Sequence, residues 1–204
     1  AAYKALEPVD LLNKHEWLFR DTWVDESADE LHEDEMDFRK RDERITKLRS
    51  DALQEIYTER GLEGIFTLAE MGKSANQIGW LMASRILAAG EIADFIVMAM
   101  KPGANFDPWP RKNLIHGALR ALEDDVRTRV LKRVKKAVSK DDFIKTLVLS
   151  PFRKSTWVLV DELDASEKKS YWDEVSAGWE QQVDEEINEA IERLLLVNRP
   201  IAAF

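Results

Sequence analysis

Residues 61–100, GLEGIFTLAEMGKSANQIGWLMASRILAAGEIADFIVMAM, decide the fold class. Leu62, Ile65, Phe66 and Ala69 fall at i, i+3, i+4, i+7, the spacing of one helical face. Gly72 is expected to stop that helix, because glycine enters the left-handed conformation without a Cβ clash. Ser74, with Gln77 three residues on, predicts a capping box that opens a second helix. Ile78, Leu81, Met82 and Ile86 give this helix its apolar face, and Gly90 breaks it. Ile92, Phe95, Ile96, Ala99 and Met100 make a third, ended by Pro102-Gly103. No one of these short helices buries its apolar face alone, so they are expected to pack as antiparallel neighbours.

Toward the N-terminus the pattern turns more polar. Residues 8–20 predict a helix with Pro8 in its first turn, where the missing N–H costs nothing, and with Leu11, Leu12, His15, Leu18 and Phe19 on its apolar side. His15 has no acid, base or metal ligand at a recognisable spacing, so it reads as a half-buried or surface histidine rather than a catalytic one. Residues 21–37 are strongly acidic, with Asp25, Glu26, Asp29, Glu30, Glu33, Asp34, Glu35 and Asp37 around His32. They lack the calcium-loop spacing and any His-x-x-x-His pair, so a solvated face or loop is expected in place of a metal site. Residues 38–60 form a long charged helix with a thin stripe, Phe38, Ile45, Leu48, Ala52, Ile56 and Tyr57. Such a helix either flanks a solenoid or pairs with a partner helix, and the first is expected.

Toward the C-terminus, KPGANFDPWP at 101–110 is a loop by its prolines and glycine. Phe106 and Trp109 are expected to plug the domain surface; the alternative is an exposed aromatic binding loop. A helix follows through Leu114, Ile115, Ala118 and Leu122. Residues 125–140, DVRTRVLKRVKKAVSK, carry the one strong charge feature. Val126, Val130, Val134 and Ala137 or Val138 line one side. Arg127, Arg129, Lys132, Arg133, Lys135, Lys136 and Lys140 line the rest, with no acid among them. A basic amphipathic helix binds anionic surfaces, nucleic acid or an acidic partner, or else is the solvated outside of the fold. Arg127, Arg129, Lys132, Arg133, Lys136 and Lys140 are the candidate partner- or anion-binding residues. No aromatic residue interleaves with them, which argues against a stacking platform for single strands.

A further hairpin is expected from 141–150, with Phe143, Ile144, Leu147 and Val148, and 155–163, with Ser155 as cap and Trp157, Val158, Val160 and Leu163 inward. The run Val158-Leu159-Val160 is β-prone, but its length and flanks favour helix. Residues 166–175 give a short helix with Tyr171-Trp172. Residues 179–197 give a longer one through Val183, Ile187, Ala190, Ile191, Leu194 and Leu195, and Pro200 opens a fresh helical turn after a turn at Asn198-Arg199.

Composition bounds the reading. Apolar content of 45% with seven Trp predicts a real core. A net charge of −9 argues against a nucleic-acid binder that uses its whole surface. The absence of Cys removes disulfide and thiolate chemistry and fits a cytoplasmic setting. The best apolar run, 86–100, contains Glu91 and Asp94 and is too short to span a membrane. No phosphate-binding glycine loop, dinucleotide fingerprint, nucleophile elbow or His-Glu-x-x-His motif is present. The three His are scattered, and the carboxylate pairs Asp124-Asp125 and Asp141-Asp142 sit beside charged neighbours. No catalytic, cofactor-binding or metal-binding residue is therefore expected. The start at AAYK in place of Met, and the end inside a helical pattern, predict a piece of a longer chain.

The phrases LLLVNRPIAAF at 194–204, SPFRKSTWVLVDEL at 150–163 and SYWDEV at 170–175 resemble the irregular helical-repeat regions, tetratricopeptide- or HEAT-like, of large bacterial multidomain proteins. The resemblance covers the last third of the chain and, more loosely, the middle. It implies a scaffold or sensor segment beside a nucleotide-binding or effector module, and it carries no functional residue across. The fold expected is all-α, an irregular α-solenoid or helical-hairpin bundle. One domain is expected over 1–204, with N-terminal helices and the acidic segment at 1–60, apolar hairpins at 61–101 and further hairpins at 109–204. The function expected is non-catalytic: protein interaction or scaffolding within a larger cytoplasmic protein, with a protein or neighbouring domain as partner and no cofactor. The alternative is nucleic-acid or anionic-surface binding through the basic helix at 127–140.

Overall fold

Gly61 marks the first departure from expectation. The long charged helix and the apolar helix after it form one element, α2 (Phe38–Met71), bent where Gly61 takes φ 61° and ψ −158°. That combination is open essentially to glycine alone. The computed structural model describes residues 8–24, 38–101, 109–178 and 184–203. The acidic run 25–37, the loop 102–108 with Phe106, and Trp179 lie outside the described residues. The remaining helices are α1 (Leu11–His15), α3 (Ala75–Leu81), α4 (Ile92–Ala99), α5 (Trp109–Arg120), α6 (Asp124–Ala137), α7 (Lys140–Val148), α8 (Lys154–Asp161), α9 (Ala165–Glu174) and α10 (Asp184–Leu196). The fold is all-α, with no strand among the described residues.

The N-terminal segment is a strap. The helix expected over 8–20 shortens to α1 and a 3-10 turn, Glu16–Leu18, and its cap is Asp10, whose carboxylate accepts from the N–H groups of Leu12 and Asn13. Residues 19–22 then cross the junction of α2 and α3. Lys73 N–H donates to Arg20 O, Ser74 N–H to Phe19 O, and Ser74 Oγ to Asp21 O at 2.7 Å. Buried Arg49 donates to Leu18 O, Asp21 O and Thr22 O, and to Gln77. Ser74 and Gln77 are thus both engaged elsewhere, and the expected capping box is not made: Ser74 precedes α3 without a side-chain cap bond. Gly72 follows the end of α2 as expected, but not by handedness, since its φ is not positive. A Cβ there would lie 2.2 Å from Phe19 O, so glycine is required by the strap passing over it.

Packing skips along the chain. The main partner of α3 is α5 and not the adjacent α4, while α4 packs on α5 and α6, and α7 packs on α9. The α3–α5 crossing is backbone to backbone. A Cβ on Gly79 would fall 2.0 Å from Leu114 O, and one on Gly117 would fall 1.9 Å from Asn76 O. After α3 the chain makes a π-helical turn, Met82–Ile86, and turns extended at Leu87, three residues before the glycine expected to break it. Buried side chains from Leu11 to Leu194 join in one hydrophobic cluster.

In the C-terminal third, residues 158–160 are helical as read. Val158 faces out, however, and Leu159 takes the inward place. Ser155 is not the cap of α8, a position held by Arg153. A true capping box opens α9: Asp164 accepts from Glu167 N–H, and the Glu167 carboxylate accepts from Asp164 N–H. Behind it Phe152, Trp157, Tyr171 and Trp172 pack edge-on, with centroids 5.0 Å apart for Phe152–Trp157 and 5.1 Å for Tyr171–Trp172. Arg193 of α10 lies over Trp157 and Trp172 and is held there by Asp161, with two bonds of 2.9 Å, and by Glu189. Helix α10 ends in a Schellman turn: Asn198 adopts φ 59°, Asn198 N–H reaches Leu195 O, and Arg199 N–H reaches Leu194 O. The Arg199 side chain donates to Trp172 O and Val175 O, covering the last carbonyls of α9.

Candidate functional site

Helix α6 was the sequence's candidate. Its charges follow the helix dipole, with Asp124 and Asp125 in the first turn and Lys135 and Lys136 in the last. The six candidate cations divide. Arg127 is a correction: only 3% exposed, it points inward and donates to Leu122 O at 2.8 Å, to Asp124 and to Ser155 Oγ. It closes the turn between α5 and α6 onto α8 and is closed to a ligand. Burial pulls its pKa down against the pull of Asp124, as expected for a buried cation with one partner. Arg129 pairs with Asp125 one turn back at 2.9 Å. Lys140 begins α7 and pairs with Glu167 at 2.7 Å and Asp164 at 3.3 Å, which raises its pKa. Asp164 is pulled down to about 2, first by the N–H of Glu167 and then by Ser166 and Lys140. Lys135, too, is engaged, with Glu162 at 3.4 Å and over the Phe143 ring. Lys132, Arg133 and Lys136 remain, exposed and without an ion pair among the described residues. They sit on an open helix surface.

A second cationic feature went unread in the sequence. Helix α5 carries no acid, and Lys112, His116 and Arg120 recur at i, i+4, i+8 along one face. With Trp109 and Asn113 they form one wall of a half-open cleft of roughly 650 Å³. The turn at 148–153 forms the other wall, and the non-helical segment 176–178 closes one side. Lys112 and Arg120 are exposed and make no ion pair among the described residues. Arg153 faces Asp124 at 3.7 Å and Glu186 at 3.6 Å, and its buried Nε makes no hydrogen bond. His116 Nδ1 lies 3.0 Å from Leu149 O. A carbonyl only accepts, so Nδ1 holds the proton and Nε2 is the remaining acceptor. Burial lowers the pKa of His116, and Arg120 lowers it further, so the ring is neutral near pH 7. No carboxylate lines the cleft among the described residues.

Tryptophan placement also departs from expectation. Of the described Trp residues, Trp157 and Trp172 are in the core, but Trp17, Trp23, Trp80 and Trp109 are 47%, 58%, 41% and 65% exposed. Trp109 was expected to plug the surface; it stands out from the first turn of α5 instead. His15 has the acid partner that sequence spacing did not reveal: its Nε2 lies 2.7 Å from Glu55 Oε2, forty residues away on α2. Lys14 reaches the same carboxylate at 3.0 Å, and the two lower its pKa. With Arg60–Asp10 at 2.6 Å, these pairs fasten α1 to α2.

No cluster of three or more His, Asp or Glu is placed to hold a metal among the described residues. No described helix is long and apolar enough to cross a membrane. The chain matches no protein-family model, no curated protein and no solved structure. The likeness to helical-repeat regions therefore rests on packing residues alone.

Proposed function

We propose that the chain is a non-catalytic protein-interaction domain, a scaffold or sensor segment of a larger protein, that binds its partner through surface tryptophans of the α3–α5 pair. The observation that carries this reading is the exposure of Trp80 and Trp109 on two helices locked together by glycine contacts. A tryptophan buries on the order of 150–250 Å² when covered and loses little rotamer entropy, which is why it concentrates at interface hot spots. Trp80 follows Gly79 directly at the crossing, so the backbone that carries it is already ordered by folding. The pairing of α3 with α5, α4 with α6 and α7 with α9, each two helices on, supports a repeat-like stack. The test is affinity capture with the wild type and with Trp80→Ser/Trp109→Ser at low and moderate salt. Partners held by the wild type at both salts and lost by the double variant, with helicity and unfolding midpoint unchanged, are the expected result. Equal recovery by the two proteins overturns the reading.

A second reading rests on Lys132, Arg133 and Lys136, the three cations of α6 without an ion pair among the described residues. It assigns that face to nucleic acid or an anionic surface. It predicts recovery at low salt only, lost when all three become Glu.

A further inference from the structure

We propose that the cleft between α5 and the 148–153 turn receives an extended acidic peptide of the partner, with carboxylates at Lys112 and Arg120 and an apolar side chain against Trp109. The proposal rests on the interaction reading above and names the ligand chemistry of its site. Charge complementarity comes first. In a chain of net charge −9, this concavity gathers three cations and a histidine with no lining carboxylate among the described residues. Lys112 and Arg120 have no ion pair among the described residues, so an incoming carboxylate displaces water and not a protein partner. Arg153, on the opposite wall, is already shared between Asp124 at 3.7 Å and Glu186 at 3.6 Å, so the cations open to a ligand are Lys112 and Arg120.

The backbone supplies the second argument. Residues 176–178 are non-helical, and their N–H and C=O groups make no hydrogen bond among the described residues. An edge of open backbone beside a trough suits a peptide, which adds main-chain bonds along it while alternate side chains enter the cleft. The size agrees. Roughly 650 Å³ takes two or three side chains, and the open side lets a chain run in and out. The acidic peptide is assigned to α5 because there the unpaired cations line a concavity with an apolar wall and open backbone beside it.

The experiment is fluorescence anisotropy on the whole chain. The probe is a fluorescein-labelled decapeptide alternating glutamate with leucine. A lysine–leucine counterpart, free glutamate as competitor and a labelled single-stranded DNA are the controls. The expected result is binding of the glutamate–leucine peptide that weakens roughly tenfold or more in Lys112→Glu/Arg120→Glu and is unchanged in Lys132→Glu/Lys136→Glu. Both pairs are exposed, so circular dichroism should match the wild type. Equal weakening by the two reversals shows diffuse electrostatics and overturns the proposal. Complete competition by free glutamate, or tighter binding of the DNA, overturns the peptide as occupant. A peptide indifferent to the cleft, with partner capture still lost in the Trp80/Trp109 variant, removes the cleft assignment and leaves the interaction reading standing.

Discussion

The α3–α5 crossing and the α8–α9–α10 box hold helices together by opposite means. At the crossing, backbones approach until no side chain fits, with Gly79 against Leu114 O and Gly117 against Asn76 O. At the box, large rings fill the space and an arginine closes it: Phe152, Trp157, Tyr171 and Trp172 under Arg193, with Asp161 and Glu189 outside. The close contacts that set the first joint are to backbone atoms, which do not titrate. The second depends on charge, and so on pH. The binding residues proposed on α5 gain from the first arrangement, because the helix cannot slide without disturbing these backbone contacts.

The comparison breaks most sharply at Gly117→Ala. A Cβ at 1.9 Å from a backbone carbonyl forces α3 and α5 apart, and neither neighbour is a side-chain end that yields. A loss of roughly 3 kcal/mol is expected from urea unfolding, at the upper end for overpacking. It should be independent of pH from neutral into the acid range. A loss below about 1 kcal/mol shows that the crossing adjusts, and the claim of rigidity falls with it.

Arg193→Gln probes the other joint. Removing a cation above two indoles, with one bidentate partner, is expected to cost about 1–2 kcal/mol. Here pH enters. The Asp161 carboxyl is held below its usual range by Arg193, and the Glu189 carboxyl by Lys154 and then Arg193. A depressed folded pKa means stability that is present above the ordinary carboxylate range and lost as pH falls through the folded value. The wild type should therefore lose stability below about pH 4. Arg193→Gln should lose less, because part of that contribution is already gone. Stability measured from pH 7 to pH 3 decides it: parallel curves for the two proteins mean that Arg193 does not depress those carboxylates.

What was legible in the sequence follows the range of the interaction. Helical spacing is local, so the faces of α4, α7 and α9 were readable from Phe95, Leu147 and Tyr171-Trp172. Caps are local as well, yet Ser74 failed as one because its hydroxyl is drawn to Asp21 O, a contact fifty-three residues away. Gly72 was read as a stop, and Gly79 and Gly117 drew no reading; all three are places where another stretch of backbone passes, which spacing alone cannot show. Arg127 was counted with the surface cations because it falls in the same basic run; it turns inward to the carbonyls after α5, a need that tertiary packing creates. The cleft did leave a local signal, Lys112, His116 and Arg120 one turn apart in an acid-free helix. Three cations in α5 were outweighed in reading by the denser run in α6.

The smallest effect is the most discriminating. Trp157 Nε1 and Tyr171 Oη are both buried, and neither makes a hydrogen bond of normal geometry among the described residues, although the indole faces the phenol. Burial pushes the tyrosine pKa up, so the phenol is neutral across the physiological range. A buried hydroxyl without a partner has given up its hydration and gained nothing for it, so replacing Tyr171 with Phe removes that desolvation cost and keeps the ring. Tyr171→Phe should change stability by less than about 0.5 kcal/mol, or raise it slightly. A loss of about 1–3 kcal/mol would mean that the hydroxyl is hydrogen-bonded in solution, by the indole N–H or by a buried water. The box would then owe its fixity to a polar network as well as to ring packing, and its contrast with the glycine crossing would widen.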